Sequence, residues 1–243
     1  MSERIILITG ANGALGQGVA QAFLAESPDN VVWLGVNRQR ERAEALAAGN
    51  PGRCHVIALD VTTAASWQAA VVAILARHSR LDVLVNNAGV HDDALLAQMK
   101  PASWHKIISV NLDGVFHGCQ AVMPAMISQR SGRIINLASL SALFAPAGQT
   151  NYAAAKAGVV ALTHSLAKEV ARLGITVNAV CPGYLESDML AKMDDATRQR
   201  AVMQIPMRRF GRPEEVAAAV RFLACAEAGY ITGSALKIDG GIF

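Results

Sequence analysis

The chain has 243 residues, of which 52% are hydrophobic and only 17% are charged, and its formal net charge is +3. This charge is too small and too dispersed to indicate nucleic-acid binding, and no apolar run approaches the ~18 residues that a membrane span requires. The charged start of "MSERIILITG" passes directly into a strand-like run, unlike a secretion signal. We therefore expect a soluble, cytoplasmic protein that binds neither nucleic acid nor membrane.

No Pro/Gly/Ser linker, low-complexity run or internal repeat divides the chain, which predicts one domain spanning residues 1–243. In chain order, strand-like segments lie at 4–10, 30–36, 54–61, 81–89, 132–140, 175–183 and 235–241. Segments with helical periodicity separate them at 16–27, 40–49, 66–79, 103–129 and 151–174. This alternation predicts an α/β Rossmann fold: a doubly wound, seven-stranded parallel sheet with helices on both faces and a ligand crevice at the carboxyl ends of the strands.

The spacing of cysteines and histidines gives no sign of a metal site, because neither a C-x-x-C motif nor a His/Cys ligand pattern is present. We expect reduced, buried thiols and surface or satisfied histidines. These residues are Cys54, Cys119, Cys181, Cys225, His91, His105, His117 and His164.

The first strand runs into the glycine-rich turn "TGANGALG", residues 9–16, with a helical segment behind it. Backbone N–H groups in such a turn approach a pyrophosphate, and the helix N-terminus stabilises its negative charge. We therefore predict dinucleotide binding here. The expected contacts are Gly10, Asn12, Gly13, Ala14, Leu15 and Gly16.

The end of the second strand indicates which dinucleotide is bound. A site that chooses NAD usually places an acid there for the ribose 2′-hydroxyl, whereas "GVNRQRER" offers Asn37 and Arg38 and no acid before Glu41. An arginine suits a 2′-phosphate, which favours NADP(H). The alternative is that Arg38, like Arg40 and Arg42, belongs to a solvated helix start.

The octet "NYAAAKAG" places Tyr152 and Lys156 four residues apart, so that in a helix they project from the same face. Taken alone, the pair is better explained as the polar edge of an amphipathic helix, because a single Tyr-x-x-x-Lys is common by chance.

The order of motifs along nearly the whole chain resembles the short-chain dehydrogenases/reductases. "TGANGALG" is followed by "LDV", "NNAG", "VNLDGVF", Ser139, the Tyr-x-x-x-Lys pair, "CPG" and a closing "DGG". Within that family the chain is most similar to bacterial 3-oxoacyl-[acyl-carrier-protein] reductases, through "GQTNYAAAKAG", "GITVNAVCPG" and "IPMRRFGRPEEVA". One departure is the spacing T-G-x-x-G-x-x-G, with Gly13 and Ala14, which is found in the longer epimerase and dehydratase branch.

The resemblance implies four catalytic residues. Tyr152 would be the general acid, and Lys156, with the cofactor's charge, would lower the tyrosine pKa and hold the nicotinamide ribose. Ser139 would donate a hydrogen bond to the substrate carbonyl, and Asn111 would position a water that relays protons through Lys156.

The resemblance also implies further contacts with the cofactor. Asp60 and Val61 would lie at the adenine, and Tyr184 and Leu185 near the carboxamide. Residues 186–210 would form a substrate lid, with Ser187 near the pyrophosphate. The remaining expected contacts are Asn87, Ala88, Gly89, Pro182 and Gly183.

The activity that the resemblance implies is NADPH-dependent reduction of a ketone to a secondary alcohol, with a 3-oxoacyl group on an acyl carrier protein as substrate. The alternatives are another small ketone, polyol or sugar, or a non-catalytic cofactor-binding partner subunit. The resemblance further implies a homotetramer and docking of the acidic carrier protein near Arg130, although the second expected arginine is replaced by Leu173. Alternatively, Arg130 is only a solvated helix C-terminus.

Overall fold

The structure, a computed structural model, describes residues 3–186 and 194–243. Seven strands form one parallel sheet, as the alternation of segments predicts. They are β1 (Arg4–Thr9), β2 (Asn30–Val36), β3 (Cys54–Ala58), β4 (Val83–Asn86), β5 (Gly132–Leu137), β6 (Ile175–Pro182) and β7 (Ala235–Ile238).

The strand order is β3-β2-β1-β4-β5-β6-β7. The chain adds β2 and β3 on one side of β1, then crosses over and adds β4 to β7 on the other side. The order therefore reverses between β1 and β4, whose loops separate at the carboxyl edge and leave a crevice. Thr9 joins the two strands there, because its Oγ1 accepts hydrogen bonds from the backbone N–H groups of Asn87 and Ala88, both at 3.0 Å.

Eight helices are described: α1 (Ala14–Glu26), α2 (Glu41–Ala48), α3 (Ala64–His78), α4 (Pro101–Ile108), α5 (Gly114–Gln129), α6 (Thr150–Val170), α7 (Asp195–Gln204) and α8 (Pro213–Ala224). Among the described residues, none of them is long and apolar enough to cross a membrane.

Both faces of the sheet are covered by apolar side chains. One buried cluster joins the sheet to α3, α5 and α6, and a second joins it to α1 and α8. Every residue of β2, including Trp33, is buried, which is the pattern of a strand enclosed on both sides. The four cysteines are free; three are buried, and Cys225 is partly exposed.

The segment 103–129, predicted as one long helix, is interrupted. A π-helical turn, Ser109–Asp113, separates α4 from α5. Such turns insert one extra residue per turn and re-aim the side chains within them. The turn contains Asn111, which is fully buried.

Candidate active site

A cavity of about 390 Å³ opens at the carboxyl edge of the sheet. Its walls come from the loops that follow β1, β4, β5 and β6, and from the first turns of α6. The predicted site residues on these walls are Leu15, Asn87, Gly89, Ser139, Tyr152, Lys156, Pro182, Gly183, Tyr184 and Leu185.

The phosphate loop is built as the glycine pattern predicts. Gly10 follows β1 in the left-handed region at φ 62°, where a Cβ would also lie only 2.7 Å from the Cα of Ala88. Gly13 is the N-cap of α1 and supplies no side-chain acceptor, so the first N–H groups of the helix are not capped by a side chain. This helix start fits a pyrophosphate.

The exchange of glycine and alanine at positions 13 and 14 leaves this loop regular. Gly13 has an ordinary φ of −75°, and Ala14 is simply the first residue of α1. The side chain of Asn12, in contrast, faces away from the expected cofactor. Its Oδ1 accepts hydrogen bonds from the backbone N–H groups of Arg42 and Ala43 at the start of α2, so only the main chain of Asn12 faces the loop.

The carboxyl ends of β2 and β3 bring three predicted cofactor residues together. The pKa of Asp60 is lowered, first by hydrogen bonds from the side chain and backbone of Thr62, then by the side chain of Asn37 and the charge of Arg38. Asn37 and Arg38 are exposed, whereas Val61 is buried against α5. A cation and an amide donor thus lie beside a fixed carboxylate at the position expected for the adenosine half of a dinucleotide.

Tyr152 and Lys156 lie on one face of α6, as their spacing predicts, and both are buried. The Nζ of Lys156 lies 5.7 Å from the centroid of the Tyr152 ring and donates a 2.7 Å hydrogen bond to the carbonyl of Leu137, the last residue of β5. Ser139 follows two residues later, and its Oγ accepts a 3.1 Å hydrogen bond from the backbone N–H of Ser141. The ends of β5 and α6 therefore hold all three side chains at one wall of the cavity.

Burial, rather than Lys156, dominates the acidity of Tyr152. Desolvation raises the pKa of Tyr152 to about 12, and hydrogen bonding with Ser139 only partly offsets it. Desolvation also lowers the pKa of Lys156 to about 8. Among the protein's own groups, burial is the largest influence on the pKa of Tyr152; the lowering expected from Lys156 together with the cofactor's charge stays a prediction. The tyrosine is protonated at neutral pH, which suits a proton donor.

Asn111 is held by the polypeptide itself. Its Oδ1 accepts from the N–H of Val90 at 3.1 Å, and its Nδ2 donates to the carbonyls of Val90 and Ile107 at 2.9 and 3.1 Å. The side chain thus joins the loop after β4 to α4, and a Cβ on Gly89 would lie 2.8 Å from its Oδ1. The predicted water contact has at most one Oδ1 lone pair available to it.

Comparison with known proteins agrees with this geometry over the full chain. A family model described as "Enoyl-(Acyl carrier protein) reductase" matches residues 10–242. The 3-oxoacyl-[acyl-carrier-protein] reductase FabG of Thermotoga maritima is 42% identical over 245 residues, which cover 100% of this chain and 98% of the relative. The protein belongs to the short-chain dehydrogenase/reductase family.

Other members of the family are similar to a comparable degree. The 3-oxoacyl-[acyl-carrier-protein] reductase FabG of Escherichia coli strain K12 is 40% identical, with 99% of this chain and 97% of the relative covered. Nodulation protein G of Azospirillum brasilense is 41% identical, with 100% of this chain and 99% of the relative covered. The crystal structure of gox2181 superposes with a TM-score of 0.93 at 31% identity and covers 100% of this chain and 96% of that one.

Three residues of this short-chain dehydrogenase/reductase site escaped prediction. His91 was expected to be an ordinary surface or satisfied histidine, but its ring stacks on Tyr152 with centroids 4.0 Å apart. Asp93 and Gln149 also line the cavity. A signal was available: "HDD" follows "NNAG" with only Val90 between them, and "GQT" directly precedes the tyrosine octet. Ser187 and part of the predicted lid lie outside the described residues.

Arg130 does not lie beside the cavity mouth. It is the C-cap of α5 and precedes β5, whereas Ser139 follows β5. The six residues of that strand rise ~3.3 Å each, so roughly 20 Å of sheet separates Arg130 from the site within one chain. The backbone carbonyl of Arg130 packs against Gly174, before β6, at the same amino edge.

Proposed function

We propose that the protein reduces the 3-oxo group of an acyl chain to a 3-hydroxy group with NADPH, the acyl chain being carried on an acyl carrier protein. The observation that supports this most is the buried, protonated hydroxyl of Tyr152 beside the hydroxyl of Ser139 in the cavity wall. Two O–H donors in the wall of one cavity suit a single oxygen atom on which negative charge develops.

The same observation favours a ketone over a carbon–carbon double bond. The family description names an enoyl reductase, and the FabG relatives are named 3-oxoacyl reductases. Reduction of a ketone requires a proton on oxygen, which Tyr152 can give while Ser139 holds the same oxygen. Reduction of an enoyl thioester also develops charge on a carbonyl oxygen, but its product takes the proton on carbon, so proton donation by Tyr152 to that oxygen is not required.

In this proposal each residue has a defined task. The dinucleotide, when bound, supplies the hydride. Tyr152 donates its proton to the carbonyl oxygen, and Ser139 donates a hydrogen bond to that oxygen. Lys156, which is bonded to the carbonyl at the end of β5 and lies beside the Tyr152 ring, holds the nicotinamide ribose and supplies positive charge near the tyrosine. Asn111 fixes the loop after β4. The remaining lone pair of its Oδ1 accepts a hydrogen bond from a water near Lys156.

We propose NADPH rather than NADH because the end of β2 offers the cation Arg38 and the amide Asn37. The nearest carboxylate, Asp60, already accepts hydrogen bonds from Thr62 at 3.0 and 2.7 Å. A 2′-phosphate would gain a charge-assisted hydrogen bond from the guanidinium, which a neutral 2′-hydroxyl cannot match.

An assay of NADPH oxidation tests the function directly. The purified protein should oxidise NADPH with a small β-ketoester and, more efficiently, with a β-ketoacyl carrier protein. A crotonyl thioester, a cyclic ketone and a sugar should be poor substrates. Oxidation with the cyclic ketone or sugar but not with either β-keto compound would instead identify a reductase of another substrate. If NADPH binds and no substrate is reduced, the protein is a non-catalytic cofactor-binding subunit.

For the carrier protein we propose docking at the cavity mouth. Residues 194–212 contain five arginines and two aspartates. Arg208, at the end of this segment, is exposed, and its Nη1 donates to the carbonyl of Met203, next to the cavity residue Gln204. An acidic carrier would be steered toward such a cationic rim. The homotetramer stays a prediction, as does the cytoplasmic location.

A further inference from the structure

A chain of hydrogen bonds leads from the loop after β4 to the catalytic serine. The Nε2 of Gln149 donates to Oδ2 of Asp93 at 2.7 Å, and the Oγ of Ser141 donates to Oε1 of Gln149 at 2.9 Å. The backbone N–H of Ser141 in turn donates to the Oγ of Ser139 at 3.1 Å. The chain thus joins the loop after β4, the turn after β5 and the residue before α6.

The direction of this chain is set at its Asp93 end. A carboxylate only accepts hydrogen bonds, so the NH₂ group of Gln149 must face Asp93 and its carbonyl must face Ser141. The hydroxyl of Ser141 then has to act as the donor. Each group beyond Asp93 thus has one favourable orientation, and the main chain at Ser141 is fixed with its N–H aimed at Ser139.

That last contact bears on the reaction. A serine hydroxyl has one proton and two lone pairs, and the Ser141 N–H occupies one of the lone pairs. The proton of Ser139 is thereby turned away from Ser141 and toward the cavity that Ser139 and Tyr152 both line. A carbonyl oxygen placed there would meet a hydroxyl that is already oriented as a donor, which reduces the cost of ordering it on binding.

We propose that Gln149, held by Asp93, is a positioning residue that orients Ser139 for the reduction. This inference rests on the proposed function. Neither side chain is required to close the loop, because two further bonds join the same segments: Ala94 N–H to the carbonyl of Gly148 at 2.9 Å, and Asn151 Nδ2 to the carbonyl of Asp92 at 3.0 Å. Removal of the polar groups should therefore change activity more than stability.

The test compares Gln149→Leu, Asp93→Ala and the double variant with wild type, using NADPH and the small β-ketoester. Each single variant should lower kcat about tenfold, the effect of ~1.4 kcal/mol, with the NADPH Kd changed less than about twofold. The double variant should be no slower than Gln149→Leu, because the two residues act in one chain. Asp93→Asn should keep most of kcat, since its amide oxygen still accepts from Gln149.

Gln98→Leu is the matched control. Gln98 lies in a neighbouring exposed turn, and its side chain makes no hydrogen bond among the described residues. This variant should behave as wild type. An unchanged kcat in Gln149→Leu, fully multiplicative losses in the double variant, or a raised KM with unchanged kcat would each overturn the proposal.

A second readout is independent of turnover. Hydrogen exchange of the Ser141 amide should be faster in Gln149→Leu and in Asp93→Ala than in wild type, with or without a reducible substrate. If the variants show faster exchange but wild type reduces no ketone, the proposed function is refuted while the hydrogen-bond chain is still supported. Unchanged exchange would refute the chain itself.

Discussion

Lys156 should destabilise the fold at neutral pH, and replacing it with methionine tests this. Desolvation lowers its pKa from 10.5 to about 8, and its side chain is only 3% exposed. The folded protein therefore binds the lysine proton less tightly than the unfolded chain does. The contribution of Lys156 to stability is most unfavourable below about pH 8, and it improves as pH rises toward 10.5, where the unfolded chain also loses its proton.

The size of the effect follows from the two pKa values. Between pH 7 and pH 9, folded Lys156 becomes largely neutral while unfolded Lys156 stays charged, so wild type should gain roughly 1.3 kcal/mol relative to Lys156→Met. The whole window corresponds to ~3 kcal/mol. Ionisation of Cys54 and Cys119, whose pKa values burial raises to about 11 and about 12, affects both proteins alike and cancels in the difference.

Urea unfolding at fixed protein concentration, at pH 7, 8 and 9, measures this difference. Lys168→Met is the matched control, because Lys168 is exposed on the same helix, and its difference from wild type should be independent of pH. A flat difference for Lys156→Met as well would show that burial does not lower the pKa of Lys156, and the reasoning from desolvation would fail.

Four further results are expected. Tyr152→Phe should remove nearly all turnover and leave NADPH affinity within a few-fold; near-normal turnover would contradict the proposed proton donor. Wild type should have a higher kcat/KM with NADPH than with NADH, and Arg38→Asp should reduce or reverse this difference. Equal kcat/KM values for the two cofactors in wild type would refute the proposed role of Arg38. Arg208→Glu should raise KM for the carrier-bound substrate about tenfold in a salt-sensitive way, and leave the β-ketoester unaffected. The same effect in Arg130→Glu instead would place docking at the opposite edge of the sheet. Light scattering should show a tetramer, and a stable monomer would contradict that expectation.

The fold could be predicted from the sequence because its determinants are local. β2 is apolar at nearly every position, and only a strand enclosed on both faces requires this; Gly10 and Gly13 mark the turn into α1. The π-helical turn at Asn111 has no comparable signal, because the segment around it has ordinary helical periodicity. Its cause lies in the tertiary bonds of the Asn111 side chain to the loop after β4.

Side-chain chemistry was harder to predict than position. Tyr152 and Lys156 lie together, as their spacing indicates. The direction in which the pKa of Tyr152 shifts, however, depends on how completely the cavity wall excludes water from its hydroxyl, and residue spacing does not show this. Arg130 is a different case. It precedes a strand of a parallel sheet and Ser139 follows the same strand, so their separation at opposite edges could have been inferred from the sequence alone.

Burial acts on Tyr152 and Lys156 in the same sense, since it favours the neutral form of each, and this has a consequence for proton return. In the proposed mechanism, Tyr152 gives its proton to a substrate oxygen and becomes a tyrosinate in a wall where its proton affinity is high. Lys156, on the same face of α6, has a lowered pKa and is the stronger acid of the two. Proton transfer from the Lys156 ammonium to the tyrosinate is therefore downhill. In this mechanism, the desolvation that makes charged Lys156 destabilising also enables it to reprotonate Tyr152 after each turnover. Lys156→Met should therefore slow reprotonation of Tyr152 while it increases the stability of the folded protein at neutral pH.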